Sequence, residues 1–317
     1  MHSHSEKDRQ TTVLSVSQRD RLCELAGDHI NFSVPLAERV YFRAGGAAEA
    51  LYAPLDSDEL AVVLQYAYSE KIPVNILGRG ANVLVSDRGL PGLTVCLVDH
   101  WHKIKLVDDN CLLVEAGANI CEVAAAAARH NLSGMEFACG IPGTVGGTTR
   151  MNAGAYDGQV GDCISYVEYL DETGKLQRKE AKDLNFGYRH SYFADHPQSL
   201  ILRVAYSLQP GERQEIYAAM NELQLRRRTV QPLELASAGS AFKRPEGMFA
   251  GKLISDAGLK GWRSGQAGIS ARHAGFIVNY GGATANEIKA VFDHVKAEVA
   301  RQFDVELEAE VRFIGDW

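Results

Sequence analysis

Residues 134–161 read GMEFACGIPGTVGGTTRMNAGAYDGQVG, and eight of these 28 residues are glycine. Glycine loses more backbone freedom on folding than any other residue, so this density is unfavourable inside helices and strands. The composition therefore predicts an ordered loop from Gly134 to Gly161. Ordered glycine loops let the backbone approach a ligand closely, so we favour a ligand-binding loop over one that only packs two strand pairs together.

A second glycine turn, Gly78-Arg79-Gly80-Ala81-Asn82, lies between two short apolar segments, Val74–Leu77 and Val83–Ser86. A dinucleotide fingerprint would need a third glycine and a following helix. Because both are absent, the pattern argues against a Rossmann site. Two interpretations remain: a backbone nest that binds an anion, or a simple hairpin turn between strands. From this turn alone, the hairpin is the prediction.

The rest of the chain predicts an α+β fold, with mixed helices and strands and no repeating βαβ unit. Arg39–Leu51 is predicted as a strand. Capping boxes at Asp56/Glu59 and Thr284/Glu287 predict two amphipathic helices. The predicted buried face of the second contains Ile288, Val291, Phe292, Val295 and Val299. Pro210-Gly211 is the predicted boundary, which gives an extension or short helix at 1–30 and domains at 31–210 and 211–317.

Composition excludes several classes of protein. The 317 residues carry 33 Lys+Arg and 40 Asp+Glu, a net charge of 33 − 40 = −7, with 46% hydrophobic residues. These values argue against disorder and against a general nucleic-acid binder. No apolar run suggests a membrane span or a signal peptide. The six cysteines have no metal-ligand spacing, and a partly solvated strand end explains the close pair His100 and His102 better than a metal does. These features predict reduced thiols, no metal site and a cytoplasmic location.

Seven motifs occur in one order along the chain and together resemble the UDP-N-acetylenolpyruvoylglucosamine reductase family, also called UDP-N-acetylmuramate dehydrogenase or MurB. They are 78–82, 140–147, Met151-Asn-Ala-Gly-Ala-Tyr156, Gly187-Tyr-Arg189 with Ser191, Ala238-Gly-Ser240 with Phe242-Lys243, His273-Ala-Gly-Phe-Ile-Val-Asn279 and Glu310-Val-Arg-Phe-Ile-Gly315. The match covers about Phe32 to Gly315. The short span from Arg189 to Ser240 resembles the branch that lacks an extra substrate-covering loop.

The resemblance implies a two-lobed FAD-binding domain of the PCMH type, followed by a smaller α+β substrate-binding domain. It implies an enzyme that uses NADPH and FAD to reduce the enolpyruvyl group of UDP-N-acetylglucosamine-enolpyruvate to UDP-N-acetylmuramate, in peptidoglycan synthesis. The expected partner is this small molecule, with no nucleic acid, no membrane and no obligate protein partner. The cofactor-binding residues that it implies are Gly78, Arg79, Gly80, Ala81, Asn82, Gly140, Pro142, Gly143, Thr144, Gly146, Gly147 and Gly154.

Three residues are carried over as catalytic. Hydride addition to the enolpyruvyl double bond pushes negative charge into the adjacent carboxylate, and a fixed guanidinium suits that charge. The motif assigns this role to Arg189. Glu310, beside the same charge, is expected to have a raised pKa and to act as a hydrogen-bond donor. Ser240 matches the residue that gives a proton to the α carbon.

The substrate-binding residues implied by the same motifs are Tyr188, Arg226, Lys243, Arg244 and His273. Lys243, Arg244 and Arg226 are the expected partners of the diphosphate and the uridine. A position near Val230 that is lysine in some relatives is apolar here, so the phosphate partner stays open. The alternatives are another FAD-dependent oxidoreductase of the same architecture that acts on a small alcohol or sugar, and a non-catalytic nucleotide-binding regulator.

Overall fold

The structure is a computed structural model, and it describes residues 14–317. Its helices are α1 Val16–Ala26, α2 Ser57–Ser69, α3 Ile120–Arg129, α4 Val145–Arg150, α5 Tyr192–Asp195, α6 Arg213–Val230, α7 Ala250–Asp256 and α8 Ala285–Phe303. Its strands are β1 Ile30–Pro35, β2 Ala47–Tyr52, β3 Val74–Ile76, β4 Val83–Val85, β5 Leu90–Val95, β6 Ile104–Asp108, β7 Cys111–Glu115, β8 Leu132–Ser133, β9 Gly154–Ala155, β10 Gly158–Gln159, β11 Ile164–Leu170, β12 Leu176–Glu180, β13 Leu200–Ser207, β14 Gln209–Pro210, β15 Arg263–Ser264, β16 Ala267–Ile269, β17 Ile277–Asn279 and β18 Arg312–Ile314.

The first lobe is built on a four-stranded sheet in the order β1-β2-β5-β3. β1 is antiparallel to β2, whereas β2, β5 and β3 run parallel, with α2 as the connection between β2 and β3. Asp56 caps α2 by accepting hydrogen bonds from the backbone N–H groups of Asp58 and Glu59. The predicted reciprocal bond of Glu59 is not formed, because its carboxylate accepts from the Tyr52 hydroxyl at 2.8 Å.

The second lobe is a five-stranded antiparallel sheet in the order β12-β11-β13-β7-β6. Val167, Val204 and Val114 lie opposite one another on its three central strands, and all are fully buried. Both lobes share one apolar core, which includes Tyr52 from β2 and Val204 from β13. Burial of this apolar surface is the main force that holds the lobes together.

The C-terminal part packs α8 against the three-stranded sheet β15-β16-β17. The capping box of Thr284 and Glu287 forms at the start of α8, as predicted. The predicted buried face is confirmed by the burial of Ile288, Val291, Phe292, Val295 and Val299. This core also takes in Phe42 and Leu84 from the first lobe, so the two parts of the chain are packed together.

Two elements cross between these parts. Helix α6 follows the predicted boundary at Pro210-Gly211, yet Ile216 and Met220 are buried in the core of the two lobes. Strand β18, near the end of the chain, pairs in parallel with β4 of the first lobe, with Arg312 opposite Val83. The division into 31–210 and 211–317 therefore stays a prediction. Only part of the predicted extension at 1–30 lies within the described residues, and it contains α1.

Several local predictions are wrong. The predicted strand Arg39–Leu51 begins only at Ala47, because the preceding residues turn, with a left-handed φ of 51° at Arg43. The predicted loop 134–161 contains α4, which Thr144 caps by accepting from the backbone N–H of Gly147. β3 and β4 do not form a hairpin, because β3 pairs with β5 and β4 pairs with β18.

The cysteines are free thiols, and Cys96, Cys139 and Cys163 are buried. Across residues 14–317, no helix combines the length and the apolar character that a membrane span requires. In the same range, no three His, Cys, Asp or Glu side chains gather as a group that could hold a metal ion.

Candidate functional site

A cavity of about 760 Å³ lies where the two lobes meet the C-terminal part. Most of the residues that the sequence assigns to cofactor binding line it: Gly78, Arg79, Gly80, Ala81, Asn82, Pro142, Gly143, Thr144, Gly146, Gly147 and Gly154. All three predicted catalytic residues, Arg189, Ser240 and Glu310, lie in the same wall. Residues from motifs more than 230 positions apart therefore meet in one space.

The turn at 78–82 has the features of an anion nest. Within residues 14–317, no acceptor takes a hydrogen bond from the backbone N–H groups of these five residues. Gly80 has a left-handed φ of 65°, and a Cβ at this position would lie 2.7 Å from the Cα of Val40. Successive N–H groups around a left-handed residue form a concavity that binds anions. Of the two interpretations, the structure favours the nest over the hairpin.

The glycine loop at 140–147 packs directly on this turn. A Cβ at Gly78 would lie 2.6 Å from Oγ1 of Thr144, so a side chain at Gly78 would separate the two loops. Thr144 cannot move away freely, because the same oxygen caps α4 by accepting from the Gly147 N–H at 3.2 Å. The two glycine motifs thus form one continuous backbone surface, as a flat or phosphorylated ligand would need.

Asn82 connects the turn to the last strand of the chain. Its Nδ2 donates to the backbone carbonyl of Glu310 at 3.0 Å, and its own carbonyl accepts from the Arg312 N–H at 3.0 Å. Asn82 therefore has a structural task besides its predicted contact with the cofactor: it holds the peptide that carries the Glu310 side chain.

Arg189 and Glu310 form an ion pair in the wall of the cavity. Nε of Arg189 donates to Oε1 of Glu310 at 2.8 Å, and Nη2 donates to the carbonyl of Gly154 at 3.1 Å. The two side chains are 19% and 10% exposed. Within residues 14–317, no acceptor takes a hydrogen bond from Nη1 of Arg189. The guanidinium is thus fixed in orientation and keeps donors available for a second carboxylate.

The pKa of Glu310 is raised above its ordinary value, as predicted. Burial favours the neutral acid. The positive charges of Arg189, Lys243 and Arg244 oppose this effect without cancelling it. A protonated Glu310 can accept from Arg189 through one oxygen and donate through the other. The pair therefore places one permanent cation and one potential proton donor side by side.

Ser240 reaches the cavity from a loop that is hydrogen-bonded to the Glu310 strand. The next residue, Ala241, donates from its N–H to the carbonyl of Gly275 and accepts at its carbonyl from the Glu310 N–H, both at 2.9 Å. The Ser240 side chain itself is exposed to the cavity. The pairing therefore places the loop that carries the predicted proton donor alongside the strand that carries Glu310.

His273 lines the cavity as a neutral hydrogen-bond donor. Its Nδ1 accepts from the Gly275 N–H at 3.1 Å, so the neutral ring carries its proton on Nε2. Burial, and to a smaller extent Lys260, lower its pKa below the ordinary value. Phe276 packs edge-on against the ring at 4.9 Å and holds its plane.

Four predicted residues do not line the cavity: Gly140, Tyr188, Arg226 and Lys243. Lys243 pairs with Glu308 instead, and Arg226 is largely exposed, with Glu222 at 3.8 Å. The Tyr188 hydroxyl accepts from the backbone N–H of Arg244 at 3.2 Å. The roles assigned to these residues stay predictions.

Sequence reasoning missed Arg227, which does line the cavity. The signal was present, because Ile216, Met220, Leu223 and Arg227 follow one another at helical spacing on one face of α6. That face points to the body of the protein, so Arg227 and not Arg226 turns inward. A Cβ at Gly140 would lie 2.9 Å from Cδ of Arg227, which explains the need for glycine there. Other cations missed in the lining are Arg150, Lys252, Lys260, Arg272 and Arg312.

Comparisons with known proteins identify the family of the chain. Residues 231–314 match the model of the UDP-N-acetylenolpyruvoylglucosamine reductase C-terminal domain, and residues 48–179 match an FAD-binding domain. UDP-N-acetylenolpyruvoylglucosamine reductases of Staphylococcus epidermidis and Clostridium perfringens are each 41% identical, over 92% and 91% of this chain and 94% of theirs. The crystal structure of UDP-N-acetylenolpyruvylglucosamine reductase from Thermus caldophilus superposes with a TM-score of 0.77 at 34% identity, covering 89% of this chain and 98% of that one. The chain belongs to the UDP-N-acetylenolpyruvoylglucosamine reductase family.

Proposed function

We propose that the chain is an NADPH-dependent flavoenzyme that reduces the enolpyruvyl group of UDP-N-acetylglucosamine-enolpyruvate to give UDP-N-acetylmuramate for peptidoglycan synthesis. The observation that carries this proposal is the buried Arg189–Glu310 pair, which faces a cavity also lined by the backbone nest at 78–82. One feature suits a substrate carboxylate, and the other suits a cofactor diphosphate. Because the chain belongs to the reductase family, we assign the carboxylate-binding pair and the diphosphate-binding nest to one reaction.

The residues present fit FAD. The five unpaired N–H groups at 78–82 would hold its diphosphate. The 140–147 loop, which contributes Gly143, Gly146 and Gly147 to the cavity wall, would receive its ring system. When bound, FAD supplies the hydride that it takes from NADPH. The chain's own residues must bind the substrate, stabilise charge and deliver a proton.

Three side chains stabilise the charge and deliver the proton. The Arg189 guanidinium stabilises the negative charge that develops on the substrate carboxylate when hydride arrives at the neighbouring double bond. Glu310, whose pKa is raised by burial, donates a second hydrogen bond to the same charge when it is protonated. Ser240 gives its proton to the α carbon. A serine hydroxyl is a weak acid, so this transfer needs assistance from the charged and acidic groups that share the cavity wall, Arg189 and Glu310.

The substrate diphosphate would be bound by cations of the C-terminal part. Arg244, Lys252, Lys260 and Arg272 lie in the cavity wall on that side, and guanidinium and ammonium groups are the usual phosphate partners. Arg226 and Lys243 remain candidates that would have to turn towards the cavity when substrate binds. The alternative of an oxidoreductase that acts on a small alcohol or sugar is not favoured, because residues 231–314 match the reductase C-terminal domain.

The cytoplasm is the proposed location, because six free thiols suit a reducing compartment. The proposed partner is a small-molecule substrate, and no interaction with nucleic acid, membrane or an obligate protein partner is part of the proposal.

An absorbance experiment under anaerobic conditions tests the proposed function. The purified protein should show a flavin spectrum that NADPH bleaches, and UDP-N-acetylglucosamine-enolpyruvate should restore it while one equivalent of UDP-N-acetylmuramate forms. A protein whose bleached spectrum is unchanged by this substrate would not have the proposed activity.

Flavin binding should be weakened by substitutions that fill the backbone surface. In Gly80→Ala the new Cβ would press on the Val40 backbone at a left-handed φ, and in Gly143→Val the new side chain would press on Cγ2 of Thr148, 2.9 Å from the Cβ position. We expect flavin affinity to fall by at least about tenfold, equivalent to about 1.4 kcal/mol. Flavin content after dialysis, measured by absorbance, gives the result.

Gly282→Ala is the matched control for Gly80→Ala. Gly282 also has a left-handed φ, 79°, but a Cβ there meets nothing within 4 Å, and the residue does not line the cavity. It should carry a similar backbone cost of about 1–2 kcal/mol and keep its flavin. Equal flavin loss in both variants would mean that general destabilisation, and not the nest, explains the result.

His273 should contribute a single neutral hydrogen bond to substrate binding. We expect His273→Ala to raise KM for the enolpyruvyl substrate by about 2- to 12-fold, which corresponds to about 0.5–1.5 kcal/mol. His273→Gln should retain most of the affinity, because its amide can still donate.

The affinity of the wild type should fall as the pH drops below the ordinary histidine range, where protonation of His273 breaks the bond from Gly275. The Gln variant should lack this pH dependence. Identical KM values in Ala and Gln would remove His273 from the substrate contacts.

A further inference from the structure

Asn152 lies beneath the loop that carries Arg189, and its side chain is completely buried. Nδ2 donates to the carbonyl of Gly187 at 2.8 Å and to Oε1 of Gln159 at 3.0 Å, while Oδ1 accepts from the Gly161 N–H at 2.9 Å. The backbone of Asn152 has a left-handed φ of 47°. Both ends of the amide are therefore used, and the residue is held in a conformation that few side chains adopt readily.

The Gly187 carbonyl is the base of a tight turn. Gly187 and His190 exchange hydrogen bonds in both directions, at 3.1 and 3.2 Å, so Tyr188 and Arg189 form its tip. Arg189 itself has a left-handed φ of 54°. The direction in which its side chain leaves the backbone therefore depends on how this turn is anchored.

The same short segment also holds the other end of Arg189. Two residues after Asn152, the carbonyl of Gly154 accepts from Nη2 of Arg189 at 3.1 Å. Asn152 thus fixes the backbone of the turn and Gly154 fixes the guanidinium, while Nε is left to pair with Glu310. Asn152 does not line the cavity itself.

We infer that Asn152 is a positioning residue for the reduction step: it aims the Arg189 guanidinium at the substrate carboxylate by anchoring the Gly187–His190 turn. This inference rests on the proposed function. Its energetic basis is that a catalytic group displaced by about 1 Å can lose about 100-fold in rate, and that a group on a turn is held only as well as its supporting contacts.

Half-reaction kinetics on the flavin-loaded enzyme test the inference. Asn152→Gly removes all three side-chain bonds and relieves the left-handed backbone. We expect reoxidation of the reduced flavin by the enolpyruvyl substrate to slow by about 10- to 100-fold, with flavin content and reduction by NADPH within twofold of wild type. Asn185→Gly is the matched control: Asn185 lies two residues before the Gly187–His190 turn, has a φ of 48°, is exposed and makes no side-chain hydrogen bond within residues 14–317. It should leave both half-reactions unchanged.

A pH experiment gives a second readout and serves if Asn152→Gly does not fold. Asn152→Asp keeps the acceptor for Gly161 but, when ionised, faces the Gly187 and Gln159 oxygens without a proton to donate. Its reoxidation rate relative to wild type should rise as the pH falls, because a protonated carboxyl can again donate to Gly187. A relative rate that does not change with pH would contradict a role through this hydrogen bond.

A double-mutant cycle separates positioning from a general structural role. If Asn152 acts through Arg189, then Asn152→Gly should cost little in an Arg189→Lys background, since the planar guanidinium is already lost. Losses that multiply would refute the inference. A wild-type enzyme whose reduced flavin is not reoxidised by the substrate would refute the proposed function. A wild type that is reoxidised, with Asn152→Gly equal to it, would refute only the inference.

Discussion

Ser240→Ala should leave the bleaching of the flavin by NADPH intact and slow its reoxidation by the enolpyruvyl substrate by about 10²- to 10⁴-fold, the range of a lost general acid. The physical reason is that NADPH oxidation needs no proton at the substrate α carbon. The Ser240 side chain is exposed to the cavity, and the neighbouring Ala241 carbonyl is bonded to the Glu310 N–H. Stopped-flow absorbance of the two half-reactions measures both rates in one preparation.

Ser237→Ala is the matched control for this deletion. Ser237 lies three residues earlier in the same loop and lines an adjoining cavity that shares Gly78 and Arg79 with the first but contains neither Arg189 nor Glu310. Its buried hydroxyl has no hydrogen-bond partner within residues 14–317. Removing an unpaired hydroxyl costs little, so both half-reactions should stay at wild-type rates. Ser240→Cys should recover part of the rate, because a thiol still carries a transferable proton. Reoxidation of Ser240→Ala at the wild-type rate would show that another group protonates the substrate.

A helix could be predicted where the residues that determine it are close together in the sequence. The capping box of Thr284 and Glu287 and the apolar face that includes Phe292 and Val295 define α8 from about 16 neighbouring residues, and both are confirmed. The same reasoning failed for Glu59 only because Tyr52, a strand residue, offers a competing hydrogen bond. The predicted glycine loop contains α4 because Thr144 caps this helix. In addition, Val145, Thr148 and Thr149 bury surface that offsets the backbone entropy cost of its two glycines.

The assembly of the site could not be predicted from local patterns. β4 and β18 are separated by more than 200 residues and pair in parallel, so no turn or spacing in the sequence indicates their register. That pairing, with the bond from Asn82 to the Glu310 carbonyl, is what brings Glu310 to the glycine turn. Only the ordered set of motifs indicated beforehand that Arg189 and Glu310 share a site; the 2.8 Å contact came from the structure.

Glu310 should impose a pH limit on the reaction with substrate. Its pKa is raised by burial, so the neutral form that donates a hydrogen bond persists above the usual carboxyl range. The reoxidation rate should therefore fall as the pH rises through this raised pKa, whereas reduction by NADPH should not follow the same curve. In Glu310→Gln the amide donates at every pH, and this limb of the profile should disappear.

Substitutions at Arg189 and Glu310 should damage one half-reaction only. Arg189→Lys should slow reoxidation by about 10²- to 10³-fold, the usual loss when a donor to a developing oxyanion is removed. A lysine ammonium on a flexible stem cannot keep the bonds to Glu310 and Gly154 and still present a planar fork. Glu310→Gln should retain more activity than Glu310→Ala, because it can accept from Arg189 and donate to substrate. Glu310→Asp should do worse than Gln, since the carboxyl is drawn back by one methylene.

Arg203→Lys provides the control, because Arg203 also forms an ion pair at 2.8 Å, with Glu168 on the sheet of the second lobe, and neither residue lines the cavity. A half-exposed pair of this kind, away from the cavity, is worth roughly 1 kcal/mol, so its loss should leave both half-reactions unchanged. Single-turnover measurement of flavin reduction and reoxidation in all five variants decides the assignment. Arg189 and Glu310 are proposed to contact the substrate and not NADPH. Selective loss of reoxidation would therefore support their roles in charge stabilisation. Equal loss in both halves would mean that the substitutions disturb the flavin site or the fold, and the roles of Arg189 and Glu310 in charge stabilisation would have to be withdrawn.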